Sequence, residues 1–367
     1  MVSPVSKGSI DLSRLVFFVV TLGLATVTVA GLMLGLRLQA SAGFDVAPAG
    51  PNSVGVGLIP DTAGIGDMTF NWLSYQGLLR AEDALGVTGT VYTSTSDAEY
   101  GPNLQKCVDE GNALCISVGF ATAEAIQMAA TANPTVSFGL LDVEFDEYPE
   151  NLRSMLFRSD QAGYLAGTLA GLMSESDVVG AVGGMQIPPV MEFTDPYRQG
   201  ALCANPGATV TITYTNNFGN PLVGGQAALA LMDHGADVIF GVGGNMGNGA
   251  VVTATQSGAW GIGVDVDVYH SVFMSGTVPG SDKLLSSAMK RLDNAVYHTI
   301  ADVISGTFTS GTSTYGLAQE GVGLAPFHEA DAAVPASVRA RLAQVEQGLT
   351  DGVINTHGPC PSYVYLP

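Results

Sequence analysis

Short unbroken runs of Val, Ile and Leu alternate along this chain with stretches in which apolar residues return every three or four positions. The runs at 54–59, 89–93, 114–119, 136–141 and 154–157 predict strands covered on both faces, because a half-exposed strand would alternate apolar and polar positions. Between them the helical period predicts helices at 69–84, 104–111 and 121–132, the last closed by Asn133-Pro134. A second series follows, with strands at 178–183, 210–214, 238–243 and 261–266 and helices at 160–173, 188–204, 223–234 and 248–257. Beyond it the pattern predicts a long helix at 284–304, a strand at 322–325, an amphipathic helix at 335–348 and a Pro-rich tail at 358–367. Strand–helix alternation implies parallel sheets with right-handed crossovers, so the chain is α/β, with two doubly wound Rossmann-like lobes.

The N-terminus carries a different pattern. Residues 15–36 hold no charge and follow Lys7 and Arg14, a length sufficient to span a bilayer. Ala40-Ser-Ala42 has the small-x-small form of a cleavage site. Residues 1–42 are therefore a signal peptide or a membrane anchor, 43–51 a linker, and the rest is extracytoplasmic. The net charge of −20, with only four lysines (Lys7, Lys106, Lys283, Lys290), excludes nucleic acid as a partner. Export permits disulfides among Cys107, Cys115, Cys203 and Cys360. Cys107 on a helix and Cys115 on the next strand can bridge their turn, leaving Cys203 to staple Cys360; the alternative is four buried thiols.

Candidate chemistry gathers after the first strand. Asp67 is placed to cap the helix at 69–84, and Phe70 and Asn71 fall in its first turn, where they can face a crevice instead of the core. Enzyme signatures are missing. No Gly-x-Ser-x-Gly elbow occurs, and His234, His270, His298, His328 and His357 are scattered without metal-ligand spacing. Gly241-Val-Gly243 opens a dinucleotide fingerprint that requires Gly at 246, where Met246 stands, and a Walker lysine is absent. The chain reads as a binding protein without catalytic residues, cofactor or metal, and an NAD-dependent enzyme is a minor alternative.

Asp67-Met-Thr-Phe70-Asn71, Ser117-Val-Gly119-Phe120, the 137–142 run ending in Asp142, Val182-Gly183-Gly184-Met185, Tyr214-Thr-Asn-Asn-Phe218, Gly244-Asn-Met-Gly247, Ile262-Gly-Val-Asp265-Val-Asp267 and Ser287-Ala-Met-Lys290 occur in order. Together they resemble the basic membrane protein family, the purine nucleoside receptor A-like substrate-binding proteins of ABC importers. The resemblance implies a type I periplasmic-binding-protein fold whose chain crosses a hinge three times. Lobe one is then 52–157 plus 266–305, lobe two 158–265 plus 306–355, and 356–367 is a tail. It implies a monomer that carries a nucleoside, purine foremost, to a membrane ABC permease. Phe70 and Phe218 would sandwich the base, and Asp265 would accept ribose hydroxyls. Lys290 would reach the ribose or its acid neighbour, and Asp142, Asp67 and Asn71 would bond base or sugar. Gly244 and Gly247 would let backbone approach the ligand. A tethered sensor, or a binder of another small polar solute such as a sugar, is the alternative use of this fold.

Overall fold

The structure is a computed structural model that describes residues 53–360. The expected signal or anchor and the linker lie outside the described residues, as does the end of the tail. In chain order come β1 (Gly55–Ile59), α1 (Phe70–Leu85), β2 (Thr88–Val91), α2 (Tyr100–Asp109), β3 (Leu114–Val118), α3 (Ala123–Ala132), β4 (Ser137–Leu141) and β5 (Leu152–Phe157). The second series is α4 (Ser159–Met173), β6 (Val178–Gly183), α5 (Pro188–Ala204), β7 (Thr209–Tyr214), α6 (Pro221–Asp233), β8 (Val238–Val242), α7 (Gly244–Gln256), β9 (Trp260–Asp265) and the short α8 (Val268–Ser271). Then follow β10 (Leu284–Lys290), α9 (Leu292–Ser305), β11 (Gly311–Tyr315), β12 (Val322–Leu324) and α10 (Ala336–Thr350).

Two six-stranded sheets carry the lobes, in the orders β11-β5-β4-β3-β1-β2 and β12-β10-β9-β8-β6-β7. All neighbours run parallel except β10 and β12. The central strands β3 and β8 are buried along their whole length, which is why their sequences show no alternation. In the second lobe α4 lies almost entirely in the interior, and Gly163, Gly167 and Gly171 form the stripe on which α5 rests. A Cβ on Gly167 would come within 1.9 Å of the Tyr197 carbonyl oxygen, so glycine at these positions sets the close helix approach.

The structure corrects the reading of 284–304. Residues 284–290 are a strand of the second sheet, and only from Leu292 does the chain become helical. The strand is buried at six of its seven positions although Ser286, Ser287 and Lys290 are polar, so its sequence shows no alternation to set it apart from a buried helix. The lobe boundaries shift with it. β10 belongs to the second sheet although 266–305 was expected in lobe one, and β11 joins the first sheet although 306–355 was expected in lobe two.

Three crossings connect the sheets: Arg158 after β5, Arg291 after β10, and the segment from β11 to β12. The first two are built alike. The Arg158 N–H donates to the Tyr315 carbonyl at 2.9 Å, and the Arg291 N–H to that of Gly321 at 2.8 Å, so both lean on the third crossing. Each guanidinium forks the carboxylate two residues on, Arg158 with Asp160 and Arg291 with Asp293. Disulfides join Cys107 to Cys115 and Cys203 to Cys360. The second closes a loop of 157 residues and ties the chain's end to α5, a constraint whose entropic contribution is ~4–5 kcal/mol for a loop this long. Among the described residues no helix is long and apolar enough to cross a membrane.

Candidate functional site

A cavity of about 480 Å³ opens at the carboxyl ends of the strands of both sheets. In open parallel sheets this is where side chains are freed from the ladder to meet a ligand. Eight of the nine expected positions line it: Asp67, Phe70, Asn71, Asp142, Phe218, Gly244, Asp265 and Lys290. Gly247 does not. It sits one turn into α7, where it packs against the Gly241 backbone of β8, so its small size serves helix–strand contact.

At the head of α1, Asp67 and Asn71 are already engaged. The Asp67 carboxylate accepts the backbone N–H groups of Thr69, Asn71 and Trp72 at 2.8–3.0 Å, satisfying the free donors of the helix start. The Asn71 amide donates to Asp61 and Asp67 and accepts the Asp61 N–H. These two residues shape the wall. Phe70, on the same turn, is half-buried, and its ring runs along Gly119. Across the cavity, Phe218 follows β7 and rests on Gly184, where a Cβ would stand 2.3 Å from its ring. One ring therefore comes from each lobe, and each lies over a glycine.

Charge is concentrated at three strand ends. Asp142 follows β4, Asp265 closes β9, and Lys290 closes β10; where the sequence pattern predicts a helix, the strand buries the Lys290 side chain at the cavity. Lys290 is 2% exposed and its Nζ donates to Asp142 Oδ2 at 2.5 Å, an ion pair that spans the two sheets beside the second crossing. The same ammonium lies 5.1–5.7 Å from the ring centroids of Phe70, Phe157 and Phe193. Asp142 and Asp265 both hold φ of 66°, a left-handed conformation that Asp tolerates better than most residues with a side chain.

Asp265 is the unpaired member. No protein hydrogen bond reaches its carboxylate among the described residues, although it is buried and borders the cavity. Burial pushes its carboxyl up to about 7, against the pull of Lys290 and with the push of Asp142 and Asp67. Two residues on, Asp267 leaves the cavity lining, caps α8 through the Tyr269 N–H and meets His328.

Sequence reasoning missed part of the wall. Asp61 after β1, Phe120 after β3, Met185 after β6, Phe193 in α5 and Asp97 also line the cavity. Asp61 is held by Ala63 and Asn71, and burial raises its carboxyl above the usual range. Three of these stand two residues past a strand end, so the rule that ligands sit at carboxyl strand ends would have found them.

A cavity lined from two α/β lobes, with rings and charges from both, is the arrangement of a solute-binding protein. Residues 55–354 match the family described as ABC transporter substrate-binding protein PnrA-like, and the chain belongs to that family. It is thus an extracytoplasmic solute-binding protein of an ABC importer, of a non-catalytic kind. It is 30% identical over 317 residues to the CD4+ T-cell-stimulating antigen of Listeria monocytogenes, covering 82% of this chain and 87% of that protein. It is 28% identical over 281 residues to the ABC transporter nucleoside-binding protein BmpA of Lactococcus lactis, covering 73% of this chain and 80% of the relative. A solute-binding protein of Aeropyrum pernix superposes with a TM-score of 0.73 at 25% identity, covering 84% of this chain and 94% of that one.

Proposed function

We propose that this protein captures a nucleoside, purine foremost, between its lobes and presents it as a monomer to a membrane permease. The observation that carries the reading is the pairing of an unpartnered buried carboxylate, Asp265, with aromatic walls from opposite lobes, Phe70 and Phe218. A vicinal diol offers two O–H donors to one carboxylate, and a flat base fills the space between rings. A volume of about 480 Å³ falls in the range of small-molecule sites. The nucleoside-binding relative in Lactococcus lactis supports the same reading. Residues 1–42 would deliver the protein across the membrane, cleaved or retained as an anchor.

A thermal-shift screen over nucleosides, free bases and pentoses tests the proposal. Stabilisation by nucleosides beyond that of either half alone is expected, and stabilisation by pentoses alone would replace the reading with a sugar binder. Phe70→Ala should weaken nucleoside binding by about tenfold or more in calorimetry, because stacking contributes ~1–3 kcal/mol per base. Unchanged affinity would remove Phe70 from the site.

Acidity offers a separate check. Burial pushes the Asp265 carboxyl up to about 7, and its ionised form is the one that offers both oxygens to the two hydroxyls. Binding below that pH must expel a proton, so affinity should fall about tenfold per pH unit from 7 towards 5 and level off above 7. The titration belongs in chelating buffer, so that Asp267 and its histidine neighbours carry no ion. Affinity independent of pH over that window would mean that the diol does not rest on Asp265.

A further inference from the structure

We propose that Asp267, His270 and His328 form a binding site for a zinc-class divalent cation on the second lobe, beside the ligand cleft. Asp267 Oδ2 lies 2.7 Å from His328 Nε2 and 3.9 Å from His270 Nε2. One ligand atom from each residue lies within 4.8 Å of the others; donors at about 2.1 Å from a tetrahedral ion stand about 3.4 Å apart, so modest side-chain rotation would bring the three onto one ion. Two imidazoles and a carboxylate suit zinc, cobalt or nickel and are a poor set for calcium or magnesium, which take oxygen donors.

The supporting contacts are those a metal site requires. The second Asp267 oxygen is occupied by the Tyr269 N–H at 3.2 Å, which fixes the carboxylate with Oδ2 turned to the histidines. His270 Nδ1 meets Ser275 Oγ at 3.0 Å, which sets that ring with Nε2 towards Asp267. The His328 ring stacks on Tyr269 with centroids 4.0 Å apart and planes within 10°. His328 itself holds a left-handed backbone with φ of 46°, a strain that the stack and the Asp267 contact hold in place. His270 is largely exposed whereas Asp267 and His328 are mostly covered, so an ion would keep one coordination position open to solvent.

The site joins the turn after β9, whose last residue is Asp265, to the segment 328–333 that follows β12. An ion there would clip two parts of the second lobe that are otherwise 61 residues apart. The proposal is independent of the nucleoside reading, since none of the three side chains borders the cavity.

The test is calorimetric titration of the full exported chain, freed of any histidine tag and stripped with chelator, with zinc chloride and then calcium chloride. One zinc per chain is expected, with at least a hundredfold preference over calcium, a rise in melting temperature that chelator reverses, and a cobalt derivative whose visible spectrum reports nitrogen ligands. His328→Ala and His270→Ala should each weaken zinc binding by tenfold or more. Because His270 is exposed, its variant keeps the test valid if His328→Ala fails to fold. His298→Ala is the control and should bind as the parent does. Equal zinc binding in parent and variants, calcium binding of equal strength, or no zinc binding at millimolar concentration would each overturn the proposal.

Discussion

Replacing Asp265 with alanine should weaken nucleoside binding by ~100-fold or more, because two hydrogen bonds to a charged acceptor contribute ~1.5–3 kcal/mol each. The carboxylate is buried at the cavity edge and accepts no hydrogen bond among the described residues, which leaves its bonding capacity open to the proposed solute. The loss should be selective. Nucleosides that lack a ribose hydroxyl should already bind the parent protein weakly, and the variant should no longer distinguish them from intact ones. Asp265→Asn keeps one acceptor and drops the charge, so it should fall between. The variant's own stability should hold or rise, since it removes a carboxyl whose ionised form burial disfavours. Calorimetry on parent and variant with paired ribo- and deoxyribonucleosides measures all of this, and equal loss for both sugars would move the diol elsewhere.

Lys290→Met should produce the second large effect, on stability as well as binding. Its ammonium is almost fully buried, donates to Asp142, and favours the ionised form of Asp265. Removing one member of a buried pair typically costs ~3–5 kcal/mol because the other charge is left without compensation. The pair also spans the sheets, so its loss should loosen the approach of the lobes. Urea unfolding should show the single variant well below the parent and Lys290→Met/Asp142→Asn partly recovered, since the double change no longer leaves the Asp142 carboxylate without its partner. A double variant as unstable as the sum of the two singles would mean that Lys290 and Asp142 act independently.

Much of this architecture was legible in the chain because each feature had a local cause. Strands such as β3 and β8 are short, mainly apolar runs without alternation, and helices α3 and α6 end or begin at Asn and Pro residues that punctuate the pattern. Phe70 and Phe218 stand at a helix start and after a strand, positions that sequence pattern and family resemblance both mark. What escaped depended on contacts distant in sequence. β10 has the periodicity of a buried helix, and only its pairing with β9 and β12 makes it a strand. β11, Gly-Thr-Ser-Thr-Tyr, carries too little apolar character to show, and becomes a strand by lying beside β5. Once β10 is a strand, Lys290 moves from a helix surface to the floor of the cavity. The histidines looked scattered because His328 reaches Asp267 across 61 residues, a proximity that spacing cannot express.

The central claim is that two lobes close on a flat ring and a diol at once. The most direct measurement is calorimetric titration of protein unfolded and refolded to strip any carried ligand, using a purine nucleoside, its free base and its free pentose. The account predicts one nucleoside per chain, bound at least a hundredfold more tightly than either fragment. Fragments that bind as well as the whole, or a nucleoside that does not bind at all, would contradict it.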